Sequence, residues 1–340
     1  MTGEISDLDR NECFRLLRAA GLAHTSETTI EAMEGGVWNN RLHHITEDKW
    51  QFAMKRFQPQ IADSPMYNPP PISAEVRARS SINAQLAAQQ LLATDSARVP
   101  GIIAATECAF LMDYVHDASS LFEALSCGTV ELDSLSESLA NVLAKLHATN
   151  APLMSRFCRN PMVPYKSSLQ YGSIQQSTCR AESLRELEDE IVNPSAAAQR
   201  FCHGDFNSRN ILLDSNGGVH IVDFEHAGLS HPTYDLAYLL SEIVIWQLAW
   251  PALQSVFVSR FLAEYRRSTP VRLDAFSTLW KHVAIHILYR FDGPSSSRWT
   301  GYVSETVESR CRSVARTILQ DPSSSGLHLQ IPNTVQEEIS

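Results

Sequence analysis

No stretch of this 340-residue chain is long and apolar enough to read as a membrane span. The most apolar segment, Ile243 to Val258, is interrupted by Gln247, Pro251 and Gln254, which predicts a buried helix instead. The opening MTGEISDLDRNECF is acidic and lacks the apolar core of a secretion signal, so a cytoplasmic location and no membrane partner are expected. There is no C-x-x-C pair. The seven cysteines are odd in number and widely spaced, which argues against a disulfide frame or a zinc site and for reduced thiols. Basic excess is also missing. A net charge of −10 argues against a nucleic-acid partner, which needs a basic face to displace counterions. No internal repeat is visible. What remains is an ordinary globular composition, 44% apolar and 19% charged, in a chain long enough for two lobes with their own cores.

Apolar spacing then places the elements. Residues 9–21 read as a helix with Cys13, Leu16, Leu17 and Ala20 on one face. LHHI and WQFAMKRF read as a hairpin turning at Glu47-Asp48. The stretch 58–73, with PMYNPPP at its centre, reads as a loop, and alanine-rich 74–93 as a helix. VPGIIAAT and CAFLMDYV are short apolar strands. SLSESLANVLAKLHA carries Leu135, Leu139, Leu143 and Leu146 at helical spacing, and 180–191 reads as a charged surface helix. NILLD and VHIVDF flank Asn216-Gly217-Gly218, which is hairpin turn chemistry. From Pro232 onward the pattern is helical, and the tail from Pro322 has no period and reads as disordered.

The informative segment is FCHGDFNSRNILLDSNGGVHIVDFEHAG. It holds His203 and Asp205, then Asn210 five residues on, then Asp223 after the hairpin. Phosphoryl transfer asks little covalent chemistry of a protein. It asks for a group that orients a hydroxyl and takes its proton, and for ligands to a cation that neutralises the phosphates. Asp205 suits the first task. A carboxylate and an amide oxygen, Asp223 and Asn210, are the hard donors magnesium prefers.

HGDFNSRN resembles the H-G-D-x-x-x-x-N catalytic loop of the aminoglycoside phosphotransferase and choline kinase family, relatives of protein kinases. IVDFE resembles that family's metal-binding loop, HPTYDLAYLL its D-P-x-x-D-L-A helix start, and LANVLAKLHA its L-A-x-L-H helix. The matches keep the family's order over roughly residues 30–245. The resemblance implies an α+β, two-lobed, protein-kinase-like fold. A small, mostly antiparallel β lobe would span residues 1–113, a larger helical lobe 114–321, and a disordered tail 322–340. ATP and Mg2+ are the implied cofactors. Gly35, Gly36 and Asn39, in EGGVWNNRLHHI, would line the nucleotide loop. Lys55 would bind the α- and β-phosphates and pair with Glu75, the only acid between Ser73 and Leu92. Backbone groups around Asp113 to Val115 would hold adenine, with Met112 lining its pocket. Asp205 would be the catalytic base and His203 its brace, with Asn210 and Asp223 on the metal. Asp235 would cap the helix it begins.

One departure stands out. The position two after the base is often histidine in this family and lysine in many protein kinases; here it is Asn207, and Arg209 is the candidate for the missing cation. The function implied is transfer of phosphate to a hydroxyl of a small molecule, with antibiotics and other cationic amines foremost and Glu225 and Glu242 as candidate acceptor-binding acids. Sugars and amino acids are neutral alternatives. A non-catalytic kinase-like protein would lack the base or a metal ligand, and neither is missing. A protein kinase would need a long activation loop, for which HPTYDLA, so soon after Asp223, leaves no room.

Overall fold

The computed structural model describes residues 5–22, 27–33, 40–58, 72–93, 97–149, 160–175, 181–250, 256–271, 278–293 and 302–320. The chain divides into two compact units: Met1–Ala118 with Leu213–Glu225, and Ser119–Leu212 with His226–Ser340.

The first unit begins with α1 (Asp7–Ala19), whose N-terminus is capped by Ser6 accepting the Asp9 N–H. Strands β1 (Thr29–Ala32), β2 (Asn40–Glu47) and β3 (Trp50–Phe57) follow, then α2 (Ala74–Leu92). Next come β4 (Ala97–Arg98), β5 (Ile102–Ala105) and β6 (Ala109–Asp113). Five strands form an antiparallel sheet in the order β1-β2-β3-β6-β5. The β2–β3 register pairs Glu47 with Trp50, so the turn is Asp48-Lys49, one residue beyond the expected place; Asp48 takes the left-handed φ of 52° the tight turn needs. Alternation along β3 sorts its side chains by face. Phe52 and Met54 join Cys13, Leu16 and Leu17 of α1 in one core, while Phe57 meets Ala74 and Ala78 of α2 in another. The fully buried Asp9 carboxylate fastens α1 to the sheet through Arg41 of β2 (2.8 Å) and Arg56 of β3 (2.7 Å). A short strand β10 (Val219–Ile221), which pairs in parallel with β4, belongs to this unit as well. Before it, Asp214 Oδ1 accepts the N–H groups of Asn216 and Gly218, and Gly217 has φ 78°, so the expected turn residues make the turn.

The second unit is mainly helical. It holds β7 (Ser119–Ser120), α3 (Leu121–Ser126), α4 (Ser136–Ala148), α5 (Met162–Gln175) and α6 (Ala181–Val192). A strand pair β8 (Arg200–Cys202) and β11 (Gly228–Ser230) is antiparallel, and β9 (Ile211–Leu213) lies between them in sequence. Helices α7 (Thr233–Ala249), α8 (Phe257–Ser268), α9 (Leu279–Asp292) and α10 (Glu305–Gln320) complete it. Helix α7 is the centre of the core: from Thr233 to Trp246 every residue is buried, as its all-round apolar sequence requires. Helix α4 packs its leucine face on α8, and α9 lies against α7 and α10. Helix α6 is the charged surface helix its sequence suggested, with Ser183, Arg185, Glu186 and Asp189 exposed and one stripe, Leu184, Leu187 and Ile191, buried. Among the described residues no helix is long and apolar enough to cross a membrane. The five described cysteines form no disulfide. Nearly all of the proline-rich stretch 58–73, and the tail 322–340, lie outside the described residues.

Candidate active site

In the second unit the segment between β8 and β9 is a loop held from beneath. Asp235, in the first turn of α7, accepts the His203 N–H at 2.7 Å and the Gly204 N–H at 2.8 Å. Its carboxylate is fully buried and also meets His147 Nε2 at 3.1 Å, and His147 is steadied by the Tyr265 hydroxyl at 2.7 Å. Asp235 was expected to cap its own helix; instead it caps this loop, and Pro232 stands at the helix start with no side-chain cap. Gly204 adopts φ +74°, and a Cβ there would lie 2.1 Å from the His226 carbonyl oxygen, so only glycine fits. Further along, Ser208 donates its N–H to Glu242 Oε2 at 2.7 Å and accepts the Phe122 N–H through its carbonyl.

Asp205 stands on this framework. Its Oδ1 is 2.5 Å from Lys166 Nζ of α5 and 3.1 Å from Asn207 Nδ2; its Oδ2 is 3.1 Å from Asn210 Nδ2. The Asp205 N–H donates to His203 Nδ1 at 3.2 Å. Burial alone would raise the Asp205 carboxyl, but Lys166, His226 and His203 overcome it and hold it well below the usual carboxylate range. Asn210 spends its NH2 on Asp205, both on Oδ2 and on the carbonyl at 2.9 Å. Its own Oδ1 therefore faces away with its lone pairs available, as a hard-cation ligand requires. The Arg209 guanidinium stacks on the Phe122 ring, 3.8 Å from the ring centre.

In the first unit, Lys55 of β3 is buried and donates to Asp223 Oδ1 at 2.6 Å; Glu225 Oε2 lies 3.8 Å away. Asp223 holds φ +66°, a conformation aspartate adopts more readily than most residues. Glu225 is buried as well. It accepts from Asn40 Nδ2 at 2.6 Å and pairs with Arg77 of α2 at 3.5 Å. This corrects the expected Lys55–Glu75 pair. Glu75 sits exposed in the first turn of α2, bonded to Ser73, while the residue α2 turns to this cluster is a cation, Arg77, with Glu225 standing between it and Lys55. At the end of β6, Asp113 exchanges backbone and side-chain bonds with Gly101. Met112 sulfur is 3.6 Å from Gln85 Nε2, and Val115 is half-buried just beyond the strand. Gly35, Gly36 and Asn39 lie outside the described residues.

The two acceptor-binding acids are also corrected. Glu242 is fully buried in α7, where it binds the Ser208 N–H and Arg290 at 3.5 Å. Glu225 is committed to Asn40, Arg77 and Lys55. Neither presents a carboxylate on a surface. Glu242 carried a signal in the sequence: a lone acid within LLSEIVIW, apolar on every side, must be buried with a partner. Lys166 carried none, being one lysine on an unremarked helix.

A model of the phosphotransferase enzyme family matches residues 29–276 of this chain. Solved structures agree in fold. A Ralstonia eutropha protein with a provisional aminoglycoside-phosphotransferase assignment superposes with a TM-score of 0.56 at 14% identity, covering 92% of this chain and 97% of its own. The choline kinase LicA of Streptococcus pneumoniae gives 0.53 at 15% identity, with 93% and 99% covered. The macrolide 2'-phosphotransferase MphH of Brachybacterium faecium gives 0.51 at 14% identity, with 89% and 97% covered. The common architecture is the protein-kinase-like α+β fold, an antiparallel β unit and a helical unit.

Proposed function

The chain belongs to the phosphotransferase enzyme family, and from that premise we propose that it moves the γ-phosphate of ATP onto a hydroxyl of a small molecule, with Asp205 as the base. The observation that carries this reading is the bonding between Asp205 and Asn210. One loop fixes a carboxylate and, beside it, an amide whose oxygen is left for a cation. In this reading the acceptor hydroxyl oxygen attacks the γ-phosphorus while its proton passes to Asp205. The bond from that phosphorus to the bridging oxygen breaks, and ADP leaves with the electron pair. A carboxyl held below its usual range by Lys166 stays ionised, ready to accept a proton from the hydroxyl. Lys55, held at Asp223, is the cation for the α- and β-phosphates. The Asn210 amide oxygen and the Asp223 carboxylate fit magnesium as donors, and magnesium when bound supplies positive charge to the phosphates. Asp113, Val115 and Met112 are the adenine-side residues. A cytoplasmic site of action fits ATP as donor.

For the acceptor, the names of the relatives point to hydroxylated amines and antibiotics. With Glu225 and Glu242 spent inside the protein, an ammonium group would have to be met by other acids. The test is ADP release from magnesium-ATP with choline, ethanolamine, kanamycin, erythromycin, homoserine and a hexose offered separately. Stimulation by one class is expected. No stimulation by any of them, and no turnover with water, would count against phosphotransfer itself.

A further inference from the structure

The loop lacks a cation two residues after Asp205, where Asn207 stands. Arg209, the nearest substitute along the chain, lies on the Phe122 ring. The cation that reaches Asp205 comes from elsewhere. Lys166 lies 39 residues earlier, on α5, and is buried. Its ammonium donates to Asp205 Oδ1 at 2.5 Å and to the Gly204 carbonyl at 2.8 Å, and sits 4.6 Å from the centre of the Tyr238 ring. These two hydrogen bonds and the aromatic face hold the ammonium in place. Helix α5 is itself anchored, by Tyr171 to His282 Nδ1 at 2.5 Å and by Gln170 to the Tyr234 hydroxyl at 2.5 Å.

We infer that Lys166 is the positioning residue of the base, supplying from α5 a cation that the loop itself, with Asn207 beside Asp205, does not provide. This rests on the phosphotransfer reading above. Lys166 acts through Asp205. With Asn207 it occupies Oδ1 with two donors, whereas Oδ2 has one, from Asn210. The carboxylate is thereby fixed in one orientation, and Oδ2 is the oxygen with an unused lone pair for the hydroxyl proton. The Gly204 carbonyl, bound by the same ammonium, ties that orientation to the loop backbone.

The test uses magnesium-ATP with water as the acceptor, followed by ADP release under single-turnover conditions. Fluorescent-ATP binding and thermal melting are measured on the same samples. Lys166→Met should lower the transfer rate about a hundredfold, the cost of an ångström's misplacement of a reacting group. ATP affinity, measured where every variant is still folded, should stay near wild type although the melting temperature falls with the loss of a buried ion pair, and Lys166→Arg, which keeps the charge, should recover part of the transfer rate. In an Asp205→Asn background, Lys166→Met should add almost nothing, because the group it positions is gone. A rate within twofold of wild type for Lys166→Met would overturn the inference. So would an undiminished loss in the Asp205→Asn background, or a rate in folded protein that arginine does not relieve. Wild-type protein that turns over neither water nor any acceptor would remove the phosphotransfer reading, and this inference with it. Wild-type turnover with an unaffected Lys166→Met removes this inference alone.

Discussion

Removing the Asp235 carboxylate should do more damage than its distance along the chain from Asp205 suggests. The carboxylate accepts the His203 and Gly204 N–H groups at 2.7 and 2.8 Å and the His147 ring at 3.1 Å, with no exposure to water. Asp235→Ala leaves two buried backbone donors without an acceptor, at about 1–3 kcal/mol each. It also empties the space beside His147, so a total of about 3–6 kcal/mol is expected. Asp235→Asn keeps the shape but turns one NH2 toward a backbone N–H. It should cost about 1.5–3 kcal/mol, the worth of one hydrogen bond to a charged group. Urea unfolding followed by circular dichroism checks the order: alanine below asparagine below wild type, with a similar slope on denaturant. Phosphate transfer should fall in both, since the loop carrying Asp205 hangs from these bonds. An alanine variant within about 1 kcal/mol of wild type would refute the reasoning, because two buried N–H groups cannot be left unpaired so cheaply.

Three further outcomes follow from the same geometry. Gly204→Ala would set a Cβ 2.1 Å from a carbonyl oxygen in a left-handed conformation, so it should cost at least about 2 kcal/mol in urea unfolding and nearly all transfer; a fully active variant would contradict the placement of the loop. His231, pushed down to about 4 by burial against the opposing pull of Glu190, is depressed in the folded chain, so the unfolded chain binds more protons between about pH 4 and 6.5. Stability should therefore be full above about 6.5 and decline as pH falls toward 4, by at most about 3 kcal/mol, and His231→Gln should flatten that slope in melting curves. Glu225→Gln should weaken nucleotide binding by loosening the Asn40–Glu225–Arg77 bonds beside Lys55, which keeps Asp223; an unchanged affinity in calorimetric titration would show that the cluster does not serve the nucleotide.

The loop and the hairpin after it were legible because their signals are local. Asp205 and Asn210 sit on one short loop, and Asp214 to Gly218 is turn chemistry, so their nearness and the turn were both readable from spacing. The strand carrying Lys55 was readable from alternation. What could not be read depends on distant partners. Lys166 reaches Asp205 only because α5 is packed where it is, and nothing local distinguishes it from a solvated lysine. Glu75 and Arg77 lie two residues apart on α2, which is more than half a helical turn, so the helix's rotation decides which one faces Lys55's cluster. Glu225 read as an acid near the site because exposure is invisible in sequence; burial with Asn40 and Arg77 gives it another task.

The central claim is that Asp205 takes the hydroxyl proton during transfer from ATP, and one comparison addresses it directly. Magnesium-ATP is mixed with the best acceptor from the screen, and the product phosphomonoester is followed by phosphorus NMR for wild type and Asp205→Ala, with ATP affinity measured alongside. The expected result is a new phosphomonoester signal from wild type and a rate lower by about 10²–10⁴ in the variant, at unchanged ATP affinity. A variant that forms the same product at near wild-type rate would contradict the account.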